Sequence, residues 1–172
     1  MASQTESIVD LAKDITGRVA TGLAVMTLVD SDGVRRGMTI SSLTPVSADP
    51  PSVLMCIGGS ASARPALVDG QSFCANILAS DQVPLSTGFA WGEADPFEVF
   101  PWRPAPDGTP VLDGTAAHLL CTVEKVVEHH GTAVVLASVD DGAVNKDETL
   151  VYWRRQYFGG LVPVDPKTGG VW

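Results

Sequence analysis

The chain has 172 residues, 45% hydrophobic and 18% charged, which suits one domain with a real core and excludes a chain disordered by composition. Its basic and acidic residues sum to a net charge of −9. No Lys/Arg cluster extends beyond Arg35-Arg36 and Arg154-Arg155, which argues against nucleic acid or an anionic membrane as the main partner.

No apolar run is as long as a membrane span, and the N-terminus has no basic start followed by an apolar stretch, so a cytoplasmic location is expected. Cys56, Cys74 and Cys121 lack CxxC spacing and sit in apolar runs. They read as small buried hydrophobes in a reducing compartment, with no metal site.

In chain order, Ser7 to Thr16 predicts a short helix, with Ile8, Leu11, Ala12 and Ile15 at helical spacing and Gly17 as its stop. Val19 to Val29 predicts a strand, Asp30-Ser31-Asp32-Gly33 a hairpin turn, and Arg36 to Ser41 the returning strand. Ser52 to Ile57 predicts a third strand, Ala61 to Asp69 a short helix and Ser72 to Leu78 a fourth strand. Asp81 to Ala90 predicts a second short helix. The proline-rich stretch from Trp91 to Gly114 reads as a loop longer than an ordinary connection. Two long strands follow, His118 to Glu128 and Thr132 to Val139, and a last one over Thr149 to Arg154. Six or more strands with few helices predict a mainly β fold, a closed antiparallel barrel capped by short helices.

Four segments could carry chemistry. Gly37 to Ser47 runs from a strand into a Ser/Thr-rich loop, which offers hydroxyls and free backbone N–H groups to a polar planar ligand or a phosphate. An ordinary surface loop has the same composition. Gly58-Gly59-Ser60-Ala61-Ser62-Ala63-Arg64 opens a helix candidate, where small residues admit a ligand and Arg64 adds a charge, or where a serine simply caps the helix. His129-His130-Gly131 sits at a turn, and adjacent strand residues point to opposite faces, a poor arrangement for one metal ion. Tyr152 to Phe158 alternates aromatics with arginines, which suits either stacking on a planar cofactor or cross-strand packing.

The order of these segments resembles the short-chain flavin reductase family, the reductase components of two-component flavin monooxygenases. It is carried by GMTISSLTPVSADPPSVLMCI, SFCANILASDQVPLSTGFA, GTPVLDGTAAHLLCTVEKVVEHHGTAVVLASV and ETLVYWRRQYFGGL, from about Ile15 to Leu161. The resemblance implies one flavin reductase-like domain over residues 1–172, with an N-terminal extension or helix over 1–14 and a C-terminal tail over 162–172. It implies the FMN-binding split β-barrel, usually a homodimer. The implied reaction is hydride transfer from NADH, or less readily NADPH, to FAD or FMN, with reduced flavin diffusing to a partner monooxygenase. A flavin-binding module without turnover and an FMN oxidase acting directly on a small molecule are the alternatives on the same fold.

The matching motifs imply that Thr39, Ile40, Ser41 and Ser42 hold the flavin ring edge, and that Cys56 and Ile57 line its pocket. Ser60, Ser62 and Arg64 would face the phosphate, Phe73, Cys74, Ala75 and Asn76 would complete the pocket, and Tyr152 and Tyr157 would lie near the nicotinamide. No side chain is implied as a catalytic acid or base, because the cofactors carry the chemistry. The sequence departs from the family pattern twice. His130-Gly131-Thr132 stands where relatives have Gly-Asp-His, so either His130 or Thr132 takes the nicotinamide-facing position. Pro96 stands where relatives have Lys or Arg before the residue matching Phe97, which removes a possible phosphate contact.

Overall fold

Apolar and polar residues alternate along much of this chain, and alternation places one face of a strand in a core and the other outside. The computed structural model describes residues 7–161 apart from 93; the tail over 162–172 lies outside the described residues. The elements in chain order are α1 (Ile8–Thr16), β1 (Thr21–Gly22), β2 (Ala24–Val29), β3 (Arg35–Ile40), β4 (Thr44–Ala48), β5 (Pro51–Gly58), a 3-10 turn (Arg64–Ala66), β6 (Ser72–Ile77), α2 (Val83–Trp91), α3 (Pro96–Val99), β7 (Trp102–Pro104), β8 (Pro110–Leu112), β9 (Ala117–His129), β10 (Thr132–Val144), β11 (Val151–Trp153) and β12 (Gln156–Phe158).

Seven strands make one antiparallel sheet in the order β3-β2-β6-β9-β10-β5-β4. Its two edge strands, β3 and β4, share no ladder, so the barrel is split rather than closed as the strand count led us to expect. The fold is a mainly β split barrel with short flanking helices. On β5 the inward residues are Val53, Met55 and Ile57, which join Met26, Leu28, Phe73, Val123 and Val135 in the barrel core. A second core lies against the helices, built from Val25, Leu78, Leu85, Phe89, Phe97, Leu112 and Leu150.

Several expectations change in detail. The strand over Val19 to Val29 divides at Leu23, because β1 pairs with β11 while β2 pairs with β3 and β6. The helix expected over Ala61 to Asp69 shortens to one 3-10 turn, since Pro65 has no N–H to donate and only Ala63 and Leu67 are buried there. The stretch expected as a long loop carries α3, β7 and β8. Asp95 caps α3 by accepting from Phe97 N at 2.9 Å, and Trp102 Nε1 donates to Phe97 O at 3.2 Å. Phe89 and Phe97 meet edge to face at 5.2 Å, which fixes this segment on α2. α1 forms as expected, yet none of its residues is buried.

His118 is buried on β9, and its Nδ1 has no hydrogen-bond partner. Burial, aided by the Arg103 charge and opposed by Asp141, pulls its pKa below 6.5. Unfolding lets the ring take up a proton more readily, so the stability that neutral His118 allows is present above that pH and lost as pH falls through the folded pKa. Melting temperature should fall with pH below about 6.5, and His118→Gln should flatten that dependence. An equal acid slope in both proteins would show that another group is responsible.

Candidate functional site

One groove gathers most of the singled-out segments. It consists of two adjoining cavities that share Thr39, Ala90 and Trp91. The larger, about 520 Å³, is lined by Gly37, Met38, Gly58, Ser60, Ala61, Ser62 and Phe89 besides the shared three. The smaller, about 150 Å³, adds Leu23, Ile40, Ser41, Ser86, Tyr152 and Tyr157. The volumes suit different occupants: the larger admits a multi-ring system with a polar chain, the smaller a single ring.

Local geometry explains how these residues meet. The Thr39 hydroxyl donates to Ser86 O at 2.6 Å, which ties β3 to α2 across the groove floor. Gly37 leaves room for α2, because a Cβ there would sit 2.5 Å from the Phe89 ring. Tyr152 and Tyr157 are cross-strand partners on β11 and β12, with ring centroids 5.2 Å apart. The β11–β12 turn is Arg154-Arg155, both at positive φ (50° and 62°), the backbone that a two-residue hairpin of matching twist requires. At the opposite end, the His130-Gly131 turn between β9 and β10 also has φ above zero at both residues (47° and 77°). Its Gly131 carbonyl lies so close to Gly59 that a Cβ on Gly59 would come within 2.8 Å of it. The exposed His130 therefore stands at the Gly58–Ser60 end of the groove.

Of the residues that the sequence singled out, Thr39, Ile40, Ser41, Ser60, Ser62, Tyr152 and Tyr157 line the groove. Ser42 lies beside it with its hydroxyl already engaged, accepting from Cys56 N at 2.9 Å and donating to Cys56 O at 3.1 Å. Cys56 is exposed on the outer side of β5, against the expectation of three buried cysteines, because strand alternation turns it away from Met55 and Ile57. Ile57 points inward and is fully buried. Arg64 pairs with Glu128 of β9 and does not line either cavity.

Phe73, Cys74, Ala75 and Asn76 are wholly buried on β6, a central strand, and do not reach the groove. Phe73 and Ala75 face the barrel core. Burial pushes the Cys74 and Cys121 thiols up to about 12, so both remain protonated at neutral pH. Asn76 is engaged inside the fold. Its Nδ2 donates to Val25 O and to Thr27 Oγ1, each at 3.0 Å, and its Oδ1 accepts from Leu112 N at 2.8 Å.

The sequence reading missed Leu23, Ser86, Phe89, Ala90 and Trp91. Four of these come from α2, whose apolar residues form no one-sided stripe to mark its groove-facing end. Ser86 is buried and its Oγ has no hydrogen-bond partner.

The lining contains hydroxyls, backbone and apolar or aromatic surface, but no carboxylate, imidazole, guanidinium or ammonium group. Such a surface can hold and orient planar rings. It carries no side chain suited to exchanging a proton near neutral pH. Among the described residues no three His, Cys, Asp or Glu side chains are grouped to hold a metal, and no helix is long and apolar enough to cross a membrane.

A model of the flavin reductase like domain family matches residues 16–161. A flavin reductase (NADH) of Kitasatospora aureofaciens is 31% identical over 166 residues, 94% of this chain and 87% of that one. The reductase subunit of a flavin-dependent monooxygenase of Rhodococcus jostii is 30% identical over 148 residues, 86% of this chain and 75% of that one. An NADH:FAD oxidoreductase of Streptomyces globisporus, solved with NAD and FAD fragments, superposes with a TM-score of 0.80 at 26% identity, covering 98% of this chain and 99% of that one.

Proposed function

The chain belongs to the flavin reductase-like domain family, and from that premise we propose that it transfers a hydride from NADH to FAD or FMN and releases the reduced flavin to a partner monooxygenase. The observation that carries the reading is the two-part groove: a cavity of about 520 Å³ with a Gly/Ser floor joins a smaller one with two tyrosines, and they meet at Thr39. NADH as donor, and a monooxygenase as recipient, are further supported by the names of the relatives.

The residues present fit a flavin. Met38, Phe89 and Trp91 offer apolar and aromatic surface to the ring, and Ser60 and Ser62 offer hydroxyls to the ribityl phosphate. Ser41, Tyr152 and Tyr157 offer hydroxyls beside a single ring in the smaller cavity. Bound flavin supplies the hydride acceptor, and nicotinamide the hydride. The protein's part is to set nicotinamide C4 against flavin N5 and keep water out, so its contribution is positioning rather than proton transfer. Thr39, whose hydroxyl is already donated to Ser86 O, holds the floor between the two rings. His130 stands at the Gly58–Ser60 end of this arrangement, and Thr132 pairs with Gly58 across β10 and β5.

Turnover tests the reading. The protein should oxidise NADH many times over only while free flavin is supplied. Flavin retained through gel filtration with no NADH oxidation would make the protein a binding module, and turnover of a small molecule by bound FMN without NADH would make it an oxidase. The phosphate placement has its own test. The double variant Ser60→Ala, Ser62→Ala should raise the KM for FMN and FAD about tenfold and spare riboflavin, since each lost hydrogen bond to a charged group is worth about 1.5–3 kcal/mol before water replaces part of it. An equal effect on riboflavin would move the phosphate elsewhere.

A further inference from the structure

The Trp91 side chain is left largely in water. Trp91 is the last residue of α2, and its neighbours on that helix, Leu85, Ser86 and Phe89, are buried while it is 72% exposed. Its indole makes no aromatic pair and no hydrogen bond among the described residues, unlike those of Trp102 and Trp153, whose Nε1 groups donate to Phe97 O and Arg18 O. A large planar side chain left in water at a groove is free to take a planar ligand.

Its position says what that ligand is. Trp91 lines both cavities, together with Thr39 and Ala90, so it stands over the place where they join. Its backbone is held firmly. The next residue, Gly92, closes the helix by donating its N–H to Gly88 O at 3.0 Å, and one turn earlier Phe89 is clamped by Phe97 and Phe100. The indole is thus a planar apolar surface on a fixed stalk at the seam of the groove.

We propose that Trp91 is the ring-stacking residue of this groove, covering the flavin isoalloxazine where the two cavities meet. The inference rests on the flavin reading above and adds the residue that grips the ring. Stacking recognises the ring and not the tail, so riboflavin, FMN and FAD must feel its loss equally. This differs from the serine contacts, which sense the phosphate. Covering the seam also keeps water from the ring face while the nicotinamide lies on the other side.

The experiment compares Trp91→Ala and Trp91→Phe with the wild type, with circular dichroism confirming that each is folded. Equilibrium titration with riboflavin is read first, because it needs no turnover. Trp91→Ala should weaken riboflavin binding about tenfold and Trp91→Phe by about threefold or less, as expected for loss or retention of one aromatic face. In steady state the KM of all three flavins should rise by the same factor. Unchanged riboflavin affinity in Trp91→Ala would overturn the proposal. So would a KM that rises for FMN and FAD alone, or a variant whose only change is a different oligomeric state by sedimentation, since Trp91 would then face a second copy. If the wild type binds riboflavin but oxidises no NADH, the reductase reading fails while the titration still decides the role of Trp91.

Discussion

Replacing Asn76 with alanine is expected to destabilise the protein by about 3 kcal/mol, lowering its melting temperature by about 6–12 °C, while leaving riboflavin affinity within about twofold. The side chain is wholly buried and joins three elements. Its amide donates to Val25 O and Thr27 Oγ1 of β2 and accepts from Leu112 N of β8. Thr27 Oγ1 in turn donates to Pro110 O at 2.5 Å, so one network fastens the β7–β8 hairpin to the barrel wall. Alanine leaves a buried N–H at Leu112 with no acceptor and a small void, and an orphaned buried donor costs more than a made bond returns. Thermal melting and riboflavin titration together check this. A weak effect on melting with a strong loss of flavin would place Asn76 at the cofactor, as the family resemblance implies, rather than in the core.

Gly37→Val is expected to show the opposite balance, a moderate loss of stability with a large loss of flavin binding. A Cβ at Gly37 would lie 2.5 and 2.7 Å from two Phe89 ring atoms and 3.3 Å from the Phe97 ring. Phe89 has little freedom to give way, since it is packed edge to face on Phe97 and stacked with Phe100 at 6.2 Å. Relief must come from β3 bowing outward or from α2 shifting, at a cost of about 1–3 kcal/mol. Either movement displaces the groove wall, because Met38 and Thr39 follow Gly37 while Ala90 and Trp91 follow Phe89. A rise of about tenfold or more in flavin KM should accompany the loss, as misplacement of about an ångström at a positioning site commonly costs that much. Gly22→Ala, where a Cβ meets nothing within 4 Å, serves as the control and should change neither quantity. Wild-type flavin KM in a folded Gly37→Val protein would detach the α2–β3 contact from function.

The contrast between these two glycine and asparagine positions shows what the sequence could convey. Strands with long alternation, such as those around Met55 and Val135, were legible because alternation is local. β4 was not, since Thr44–Ala48 is short, contains Pro45 and has a register shift, which reads as loop. β12 was hidden because Arg154-Arg155 forms a tight turn without the Gly or Asn that usually marks one. At the site, Thr39, Ser41, Ser60 and Ser62 stood out through their small and hydroxyl-rich surroundings. Phe89 and Trp91 did not, because their contact with Gly37 and Thr39 spans about fifty residues of chain and follows from packing that no local pattern records. Phe73, Cys74, Ala75 and Asn76 are buried on β6, a central strand flanked on both sides, a placement that the local sequence SFCAN does not record.

The measurement that bears most directly on the reductase account is anaerobic reduction of bulk flavin by NADH with a trace of the protein. With flavin in large excess and oxygen excluded, the flavin band should bleach to completion in step with NADH loss, so that many flavins are reduced per protein chain. That result means the protein reduces flavin repeatedly and releases it. Bleaching that stops at one flavin per chain, or does not begin, would contradict the account and leave a protein that holds flavin without passing it on.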